Sequence, residues 1–308
     1  MKYILAALFV LTTGVLAFLS LGNHSVDAAN GVAETESPVL SGGVQPAYPA
    51  VKMPKNLTLA GEPVPMDDQE VLERMDRELL VNSYWHSQTL QNLKLANRWF
   101  PIMEPILAKN GIPDDFKYLA VAESNLRNVV SPAEATGFWQ LLEATAKENG
   151  LVVTAEVDQR YDVERSTEAA CRYLKRAYDR YGSWTLAAAS YNMGMGGLDR
   201  KLSDQQVKNY YDLFLSTETS RYVFRILAFK LIYEQHERYG FVLDEEDLYP
   251  PLEYREVTVS ASVADLQAFA REQGSNYKML RYLNPWIRSS KLTVLPGKPY
   301  TLKLPKNT

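Results

Sequence analysis

Hydrophobic residues recur at every third or fourth position over most of residues 67–243. That spacing places them on one face of an α-helix. The repeat is clearest in residues 167–182 and 219–240, and both stretches end at a glycine, which is typical of helix ends. The pattern predicts an all-helical domain over residues 67–243, in which Pro101 and Pro105 should break or kink the second helix.

The periodicity changes after this domain. An acidic run with Pro250 and Pro251 predicts a short linker over residues 244–253. In residues 254–308, polar and apolar residues alternate near both ends, and two short helical patterns lie between these strand-like stretches. This order predicts a small βααβ domain. The expected fold class is therefore mainly α, with an all-helical domain followed by a small α+β domain.

The N-terminal segment predicts export. Lys2 is followed by a long uncharged run, and the small residues Val26 and Ala28 fit a cleavage site. Residues 1–28 are either a cleaved signal peptide or an uncleaved membrane anchor, because the run is about long enough to span a bilayer. No cysteine lies directly after the run, so the protein is not expected to be a lipoprotein. Residues 29–66 lack periodicity and contain scattered proline and glycine, which predicts a flexible linker.

Composition and charge exclude several classes of protein. The chain has 308 residues, 46% of them hydrophobic, and a formal net charge of −4, which gives no general attraction to nucleic acid. Cys171 is the single cysteine, so an intramolecular disulfide is excluded. The histidines lie far apart without ligand spacing, and no metal or cofactor is expected. After Glu272 the chain has seven Lys or Arg residues and no acid, a pattern typical of a solvated basic face.

One carboxylate lies on a predicted apolar helix face. Counting from the helix start at Pro113, the residues Phe116, Leu119, Ala120 and Glu123 follow the spacing of a single face. Burial of a carboxylate is costly unless the group is paired, hydrogen-bonded or protonated. Two alternatives follow: Glu123 forms an ion pair, for example with the arginine four residues later, Arg127, or it is a general acid with a raised pKa.

Several short motifs accompany Glu123 along the chain. They are Glu-Ser at 123–124, Ser-Pro-Ala-Glu-Ala-Thr-Gly at 131–137, Gly-Phe-Trp-Gln at 137–140, Tyr-Asn at 191–192, and Tyr222 in Ser-Arg-Tyr-Val-Phe. In this order they resemble the catalytic domain of the lytic murein transglycosylases, relatives of goose-type lysozyme, and most closely the membrane-bound murein transglycosylase D group. The C-terminal domain resembles a LysM domain, with Ser-Ala-Ser at 260–262 in place of the usual Gly-Asp-Thr turn.

The resemblance implies a lysozyme-like enzyme of the periplasm or cell envelope whose partner is the peptidoglycan glycan strand. Such an enzyme cleaves the β-1,4 bond between N-acetylmuramic acid and N-acetylglucosamine without water and leaves 1,6-anhydro ends. Glu123 would be the only general acid and base, because the 2-acetamido group of the substrate stabilises the developing charge. The expected protein is a monomer, with a membrane tether if the leader stays attached.

The resemblance also implies roles for the other motif residues. Ser124 and Tyr222 would orient the acid, and the substrate would be bound by Gly137, Phe138, Trp139, Gln140, Tyr191 and Asn192. Two alternatives remain open. The first is a hydrolytic muramidase that uses Glu134 or another acid as the second carboxylate. The second is a non-catalytic peptidoglycan-binding protein in which Glu123 is a paired structural residue.

Overall fold

The computed structural model describes residues 50–306, so the predicted leader, residues 1–28, lies outside the described residues. No helix in the described range is long and apolar enough to cross a membrane. The helices are α1 (Gln69–Tyr84), α2 (His86–Lys109), α3 (Lys117–Ser124), α4 (Glu143–Glu148), α5 (Val163–Tyr181), α6 (Trp184–Met193), α7 (Met195–Gln205), α8 (Thr217–Glu234), α9 (Leu266–Glu272) and α10 (Tyr277–Leu283). The strands are β1 (Thr58–Leu59), β2 (Glu62–Pro63), β3 (Tyr254–Val259) and β4 (Tyr300–Pro305).

Local capping residues fix the ends of the main helices. The Asp68 carboxylate accepts hydrogen bonds from two amides in the first turn of α1, and the Asp162 carboxylate does the same for α5. A side-chain acceptor at this position satisfies donors that have no partner within the helix. Helix α5 ends at Gly182, whose φ of 63° lies in the left-handed region. The end of α5 at Gly182 agrees with the sequence pattern, whereas α8 ends at Glu234, before the glycine at 240.

Helix α2 differs from the prediction. Pro101 and Pro105 both lie inside it, and the helix continues for 24 residues from His86 to Lys109. The helix is therefore not broken at these prolines, and the other part of the prediction, a kink, stays a prediction. Three residues of this stretch are buried: Phe100 precedes the first proline, Met103 lies between the two prolines in sequence, and Leu107 follows the second. Their tertiary packing keeps the stretch helical despite the low helix propensity of proline.

Helix α3 lies in the centre of the helical domain. Leu119, Ala120 and Val121 are completely buried, and the helix packs against α8 and α2. The preceding residues Asp114–Phe116 form a 3-10 turn that places Phe116 in the same core. A short helix of eight residues is only marginally stable in isolation, so its neighbours supply most of its stability.

The predicted flexible linker, residues 29–66, is wrong at its C-terminal end. Leu57, Leu59 and Val64 are buried in the core of the helical domain, and β1 pairs with β2 in a small antiparallel hairpin. The carboxylate of Glu62 accepts hydrogen bonds from Ser183 and Thr185 at the N-terminal end of α6. Burial of apolar side chains and a cap on α6 therefore hold this hairpin in place.

The C-terminal module, residues 254–306, has the predicted βααβ order. Strands β3 and β4 pair antiparallel from Tyr254 opposite Pro305 to Val259 opposite Tyr300. The helices α9 and α10 cover one face of this two-stranded sheet, and Leu266, Leu280, Leu302 and Leu304 are completely buried between the layers.

The C-terminal module packs directly on the helical domain. Val157, a residue of the helical domain, is 3% exposed and belongs to the hydrophobic core of the module. It forms an antiparallel bridge with Ile287, and the Asp158 amide donates to the Trp286 carbonyl at 2.8 Å. The linker also lies on α2, since the Arg98 side chain donates to the Pro250 carbonyl at 3.0 Å. A residue of the helical domain therefore completes the hydrophobic core of the module.

Candidate active site

Glu123 lies in the last turn of α3 and its side chain is half-buried. The next two residues, Asn125 and Leu126, have φ values of 53° and 57°, so the chain turns away from the helix immediately after this turn. The hydroxyl of Tyr222, a buried residue of α8, donates a hydrogen bond to Glu123 Oε1. The structure thus brings together two residues that lie 99 positions apart in the sequence.

The surroundings of Glu123 favour its protonated form. Burial raises the pKa of its carboxyl to about 7, although the Tyr222 hydrogen bond and the positive charge of Arg225 act in the opposite direction. The negative charge of Glu218 raises the pKa further. Removal of water from around a carboxylate disfavours its charged form, and this effect dominates here. A general acid is most effective when its pKa is near the working pH.

Sequence reasoning missed Arg225 and Glu218, both of which lie on α8. Together with Arg221 and Tyr222 they follow the spacing i, i+3, i+4 and i+7, so these four polar side chains share one helix face. Arg221 and Arg225 both pair with Glu78, a residue of α1 that is 1% exposed. The polar spacing in α8 was the available signal for this face.

Ser124 does not bind Glu123 as predicted. Its hydroxyl lies 2.8 Å from the Phe138 carbonyl and 3.1 Å from the Ala120 carbonyl, and the side chain is buried. A serine on a helix readily donates to the carbonyl four residues earlier, which is the second of these contacts. Ser124 therefore fastens the loop that contains Phe138 to the helix that carries Glu123, and it acts on the acid only through the backbone.

The loop at residues 131–140 depends on Gly137. Its φ is 86°, and a Cβ atom at this position would lie 2.0 Å from the Arg160 carbonyl oxygen. Only glycine avoids that overlap, and its missing side chain also permits the backbone conformation. The guanidinium of Arg160 donates to the carbonyls of Glu134 and Leu141, which holds the loop on its other side.

Phe138 and Trp139 do not offer their side chains to the cleft as predicted. Trp139 is completely buried, and its indole nitrogen donates to the Thr167 hydroxyl at 2.9 Å. Phe138 is 2% exposed and packs edge-on against Trp99. Tertiary packing explains the difference, because a fully buried ring cannot stack on a sugar. Both residues instead anchor the loop in the core.

The other predicted substrate-binding residues line one cavity of about 570 Å³. Gln140, Tyr191 and Asn192 are half-buried and contribute to its wall. The Gln140 amide nitrogen donates to the carbonyls of Val129 and Gly137, which leaves its oxygen as an acceptor. The Tyr191 hydroxyl donates to the Trp139 carbonyl at 2.7 Å. The cavity is large enough for a small ligand and presents several hydrogen-bonding groups.

The alternative partners of Glu123 lie elsewhere. Arg127 donates to Gln91 rather than pairing with Glu123. Glu134 is exposed in the loop, and its backbone φ is 63°. The charges that shift the pKa of Glu123 are those of Arg225 and Glu218. Within residues 50–306 no cluster of three or more His, Cys, Asp or Glu side chains could hold a metal ion.

Comparison with known families identifies the class of both parts. Residues 101–214 match the model of the transglycosylase SLT domain, and residues 255–308 match that of the soluble lytic transglycosylase C-terminal LysM-like domain. The chain therefore contains an SLT transglycosylase domain and a LysM-like domain. The predicted fold class, mainly helical with a small α+β module, is confirmed, and so is the family resemblance.

The chain is distantly similar to the membrane-bound lytic murein transglycosylase D of Escherichia coli strain K12, with 28% identity over 252 residues that cover 79% of this chain and 53% of that protein. The protein of the same name from Escherichia coli O6:H1 strain CFT073 gives the same values. The chain spans about half the length of these curated relatives. The crystal structure of the 70 kDa soluble lytic transglycosylase of Escherichia coli is 23% identical, with a TM-score of 0.37, and covers 44% of this chain and 24% of that chain.

Proposed function

We propose that this protein is a peptidoglycan lytic transglycosylase that cleaves the β-1,4 bond between N-acetylmuramic acid and N-acetylglucosamine. Glu123 is its single general acid and base. The observation that carries the proposal is a half-buried carboxyl whose pKa is raised to about 7 and which accepts a hydrogen bond from Tyr222, within an SLT domain. Such a group can donate a proton near neutral pH and take one back.

The reaction needs two proton transfers and no water. Protonated Glu123 gives its proton to the glycosidic oxygen as the bond from this oxygen to C1 of N-acetylmuramic acid breaks. The 2-acetamido group stabilises the positive charge that develops at C1. The 6-hydroxyl oxygen then bonds to C1, and its proton returns to the carboxylate of Glu123. The products carry a 1,6-anhydro end and a free 4-hydroxyl, and the acid is restored.

The neighbouring residues act on this acid and on the sugar. Tyr222 holds the Glu123 carboxyl in one orientation and stabilises its ionised form between the two proton transfers. Gln140 and Asn192, which line the 570 Å³ cavity, bind acetamido or hydroxyl groups of the glycan, and Tyr191 packs beside the reacting sugar. The buried residues of the loop support the site by fixing the shape of the loop. They are Gly137, Phe138 and Trp139.

The single-acid mechanism is preferred to hydrolysis. A hydrolase with two carboxylates needs the second one close to the reacting carbon, as nucleophile or as base. Glu134 is exposed on a loop and forms no ion pair within the described residues that would fix its orientation. Glu218 is the acid whose charge affects Glu123, and it lies within 3.4 Å of the Asn192 amide.

The test is mass spectrometry of the fragments released from purified peptidoglycan. The unchanged chain should release anhydro-muramyl fragments, and Glu123→Gln should release none, because glutamine cannot donate the proton. Glu134→Gln and Glu218→Gln remove one carboxylate each and should still give anhydro products. The same preparation of each variant is checked for folding by its melting temperature.

Other outcomes would identify the alternatives. Hydrated reducing ends that disappear in Glu134→Gln or Glu218→Gln would indicate a muramidase with that residue as its second carboxylate. The absence of fragments from every variant, combined with binding of peptidoglycan, would indicate a non-catalytic binding protein. We propose a location in the cell envelope, because peptidoglycan lies there, and we propose that the protein acts on the glycan strands as a monomer.

A further inference from the structure

A second pocket lies where the C-terminal module meets the helical domain. It has a volume of about 380 Å³, within the range of small-ligand sites. Its walls include Trp99 of α2 from one side and Tyr282 and Trp286 from the other. It shares no lining residue with the 570 Å³ cavity beside Gln140 and Asn192. This junction pocket and the 570 Å³ cavity are therefore two distinct cavities.

Three arginines line the junction pocket without a carboxylate partner among the described residues. Arg98 donates to the Pro250 carbonyl and to the Tyr282 hydroxyl, and Arg127 donates to Gln91. Arg281 donates to a tyrosine hydroxyl and to a backbone carbonyl. All these acceptors are neutral, so the positive charge of the three side chains is not compensated there.

The other charged residues of the junction pocket do not supply the missing negative charge. Lys303 is already paired with Glu164 at 2.7 Å. Asp162 is the acid among the lining residues, and its carboxylate is engaged by backbone amides as the cap of α5.

Arg281 keeps donor capacity for a ligand. Within the described residues only its Nη1 atom donates hydrogen bonds, to the Tyr277 hydroxyl and to the Ser289 carbonyl. A carboxylate satisfies a guanidinium best, because its two oxygens match two parallel N–H groups. The geometry therefore favours a ligand with a carboxylate.

We propose that the junction pocket binds a murein fragment that carries both a pyranose ring and a free carboxylate, as an N-acetylmuramyl peptide does. The carboxylate pairs with the arginines, and the apolar faces of the ring pack against Trp99 on one side of the pocket and Tyr282 on the other. The proposal rests on the proposed function only for the identity of the polymer. The pocket would hold a second part of the peptidoglycan while Glu123 acts on the glycan strand.

The test measures binding rather than activity, by calorimetric titration of the full chain carrying Glu123→Gln. The probe is N-acetylmuramyl-L-alanyl-D-isoglutamine, and N-acetylglucosamine serves as the sugar without a carboxylate. The dipeptide L-alanyl-D-isoglutamine serves as the carboxylate without a sugar. We expect the muramyl peptide to bind at least tenfold more tightly than either part, and its affinity to fall with added salt because the contact is ionic.

Two variants locate the binding. The substitutions Arg98→Gln and Arg281→Gln should each lower the affinity for the muramyl peptide at least tenfold. Arg271→Gln, an exposed arginine of the same module outside the pocket, should leave the affinity unchanged. Melting temperatures verify that each variant is folded, and the comparison of the three probes needs no variant at all.

Three results would overturn the proposal. The first is equal binding of N-acetylglucosamine and the muramyl peptide. The second is a loss of affinity in Asn192→Ala instead of Arg281→Gln, which would place the ligand in the cleft. The third is no binding at millimolar concentration. Failure of the proposed function would look different, since the muramyl peptide would still bind at the junction while peptidoglycan stayed intact.

Discussion

Replacing Glu123 by glutamine should end catalysis and stabilise the folded protein at neutral pH. In the unfolded chain the carboxyl releases its proton near its usual value of 4.5, whereas the folded protein holds the pKa at about 7. Between these two pH values the unfolded state binds fewer protons than the folded state. The free energy of unfolding of the unchanged protein therefore falls as pH rises through this window, and glutamine avoids the loss.

The size of this effect follows from the two pKa values. The window runs from pH 4.5 to about 7, and at about 1.4 kcal/mol per pH unit the full effect is about 3 kcal/mol. The side chain is half-buried, so screening by solvent reduces the value, and we expect about 1–3 kcal/mol. The difference between the two proteins should be small at pH 4 and should reach its full size above pH 7.

Urea unfolding at pH 4, 5.5, 7 and 8 measures this difference. Glu134→Gln is the matched control, because it removes an exposed carboxylate from the neighbouring loop. An advantage of Glu123→Gln that stays the same from pH 4 to pH 8 would refute the reasoning, since it would show that burial does not shift this acid. The rate of peptidoglycan cleavage should report the same group, by falling as pH rises through about 7.

The remaining predictions concern the support of the site. Tyr222→Phe removes a hydrogen bond that lowers the pKa of Glu123, so the rate of cleavage should drop and its alkaline limb should move to higher pH. Gly137→Ala should destabilise the fold by at least about 2 kcal/mol in urea unfolding, because its Cβ would overlap a carbonyl. Gly61→Ala, at φ 83° with open space around it, should cost only about 1 kcal/mol. Val157→Ala should lower the stability by about 2 kcal/mol without splitting the unfolding transition in calorimetry.

The sequence predicted those parts of the site that depend on local periodicity. The spacing of Phe116, Leu119, Ala120 and Glu123 predicted a helix with a carboxylate on its buried face, and α3 has that arrangement. The βααβ order of the C-terminal module was predictable for the same reason, because strands and helices have different periods. The polar face of α8 that carries Arg225 has this kind of signal as well.

Contacts between distant segments were beyond this kind of reasoning. Trp139 lies in a loop without periodicity, so only its contact with Thr167 determines that the ring faces the core. The hairpin around Gly61 has strands of two residues, too short for a visible alternation. The continuous helix through Pro101 reflects packing that outweighs local propensity. The junction pocket depends on how two domains meet, which no single segment encodes.

The position of Val157 has a consequence for how such proteins diversify. Because Val157 completes the hydrophobic core of the neighbouring module, the stability of that module depends on the helical domain. Exchanging the C-terminal module for an unrelated one would leave an apolar side chain in water and a gap in the new core. Insertions and fusions should therefore be tolerated at the chain ends and in exposed loops, whereas the boundary between the two domains resists recombination.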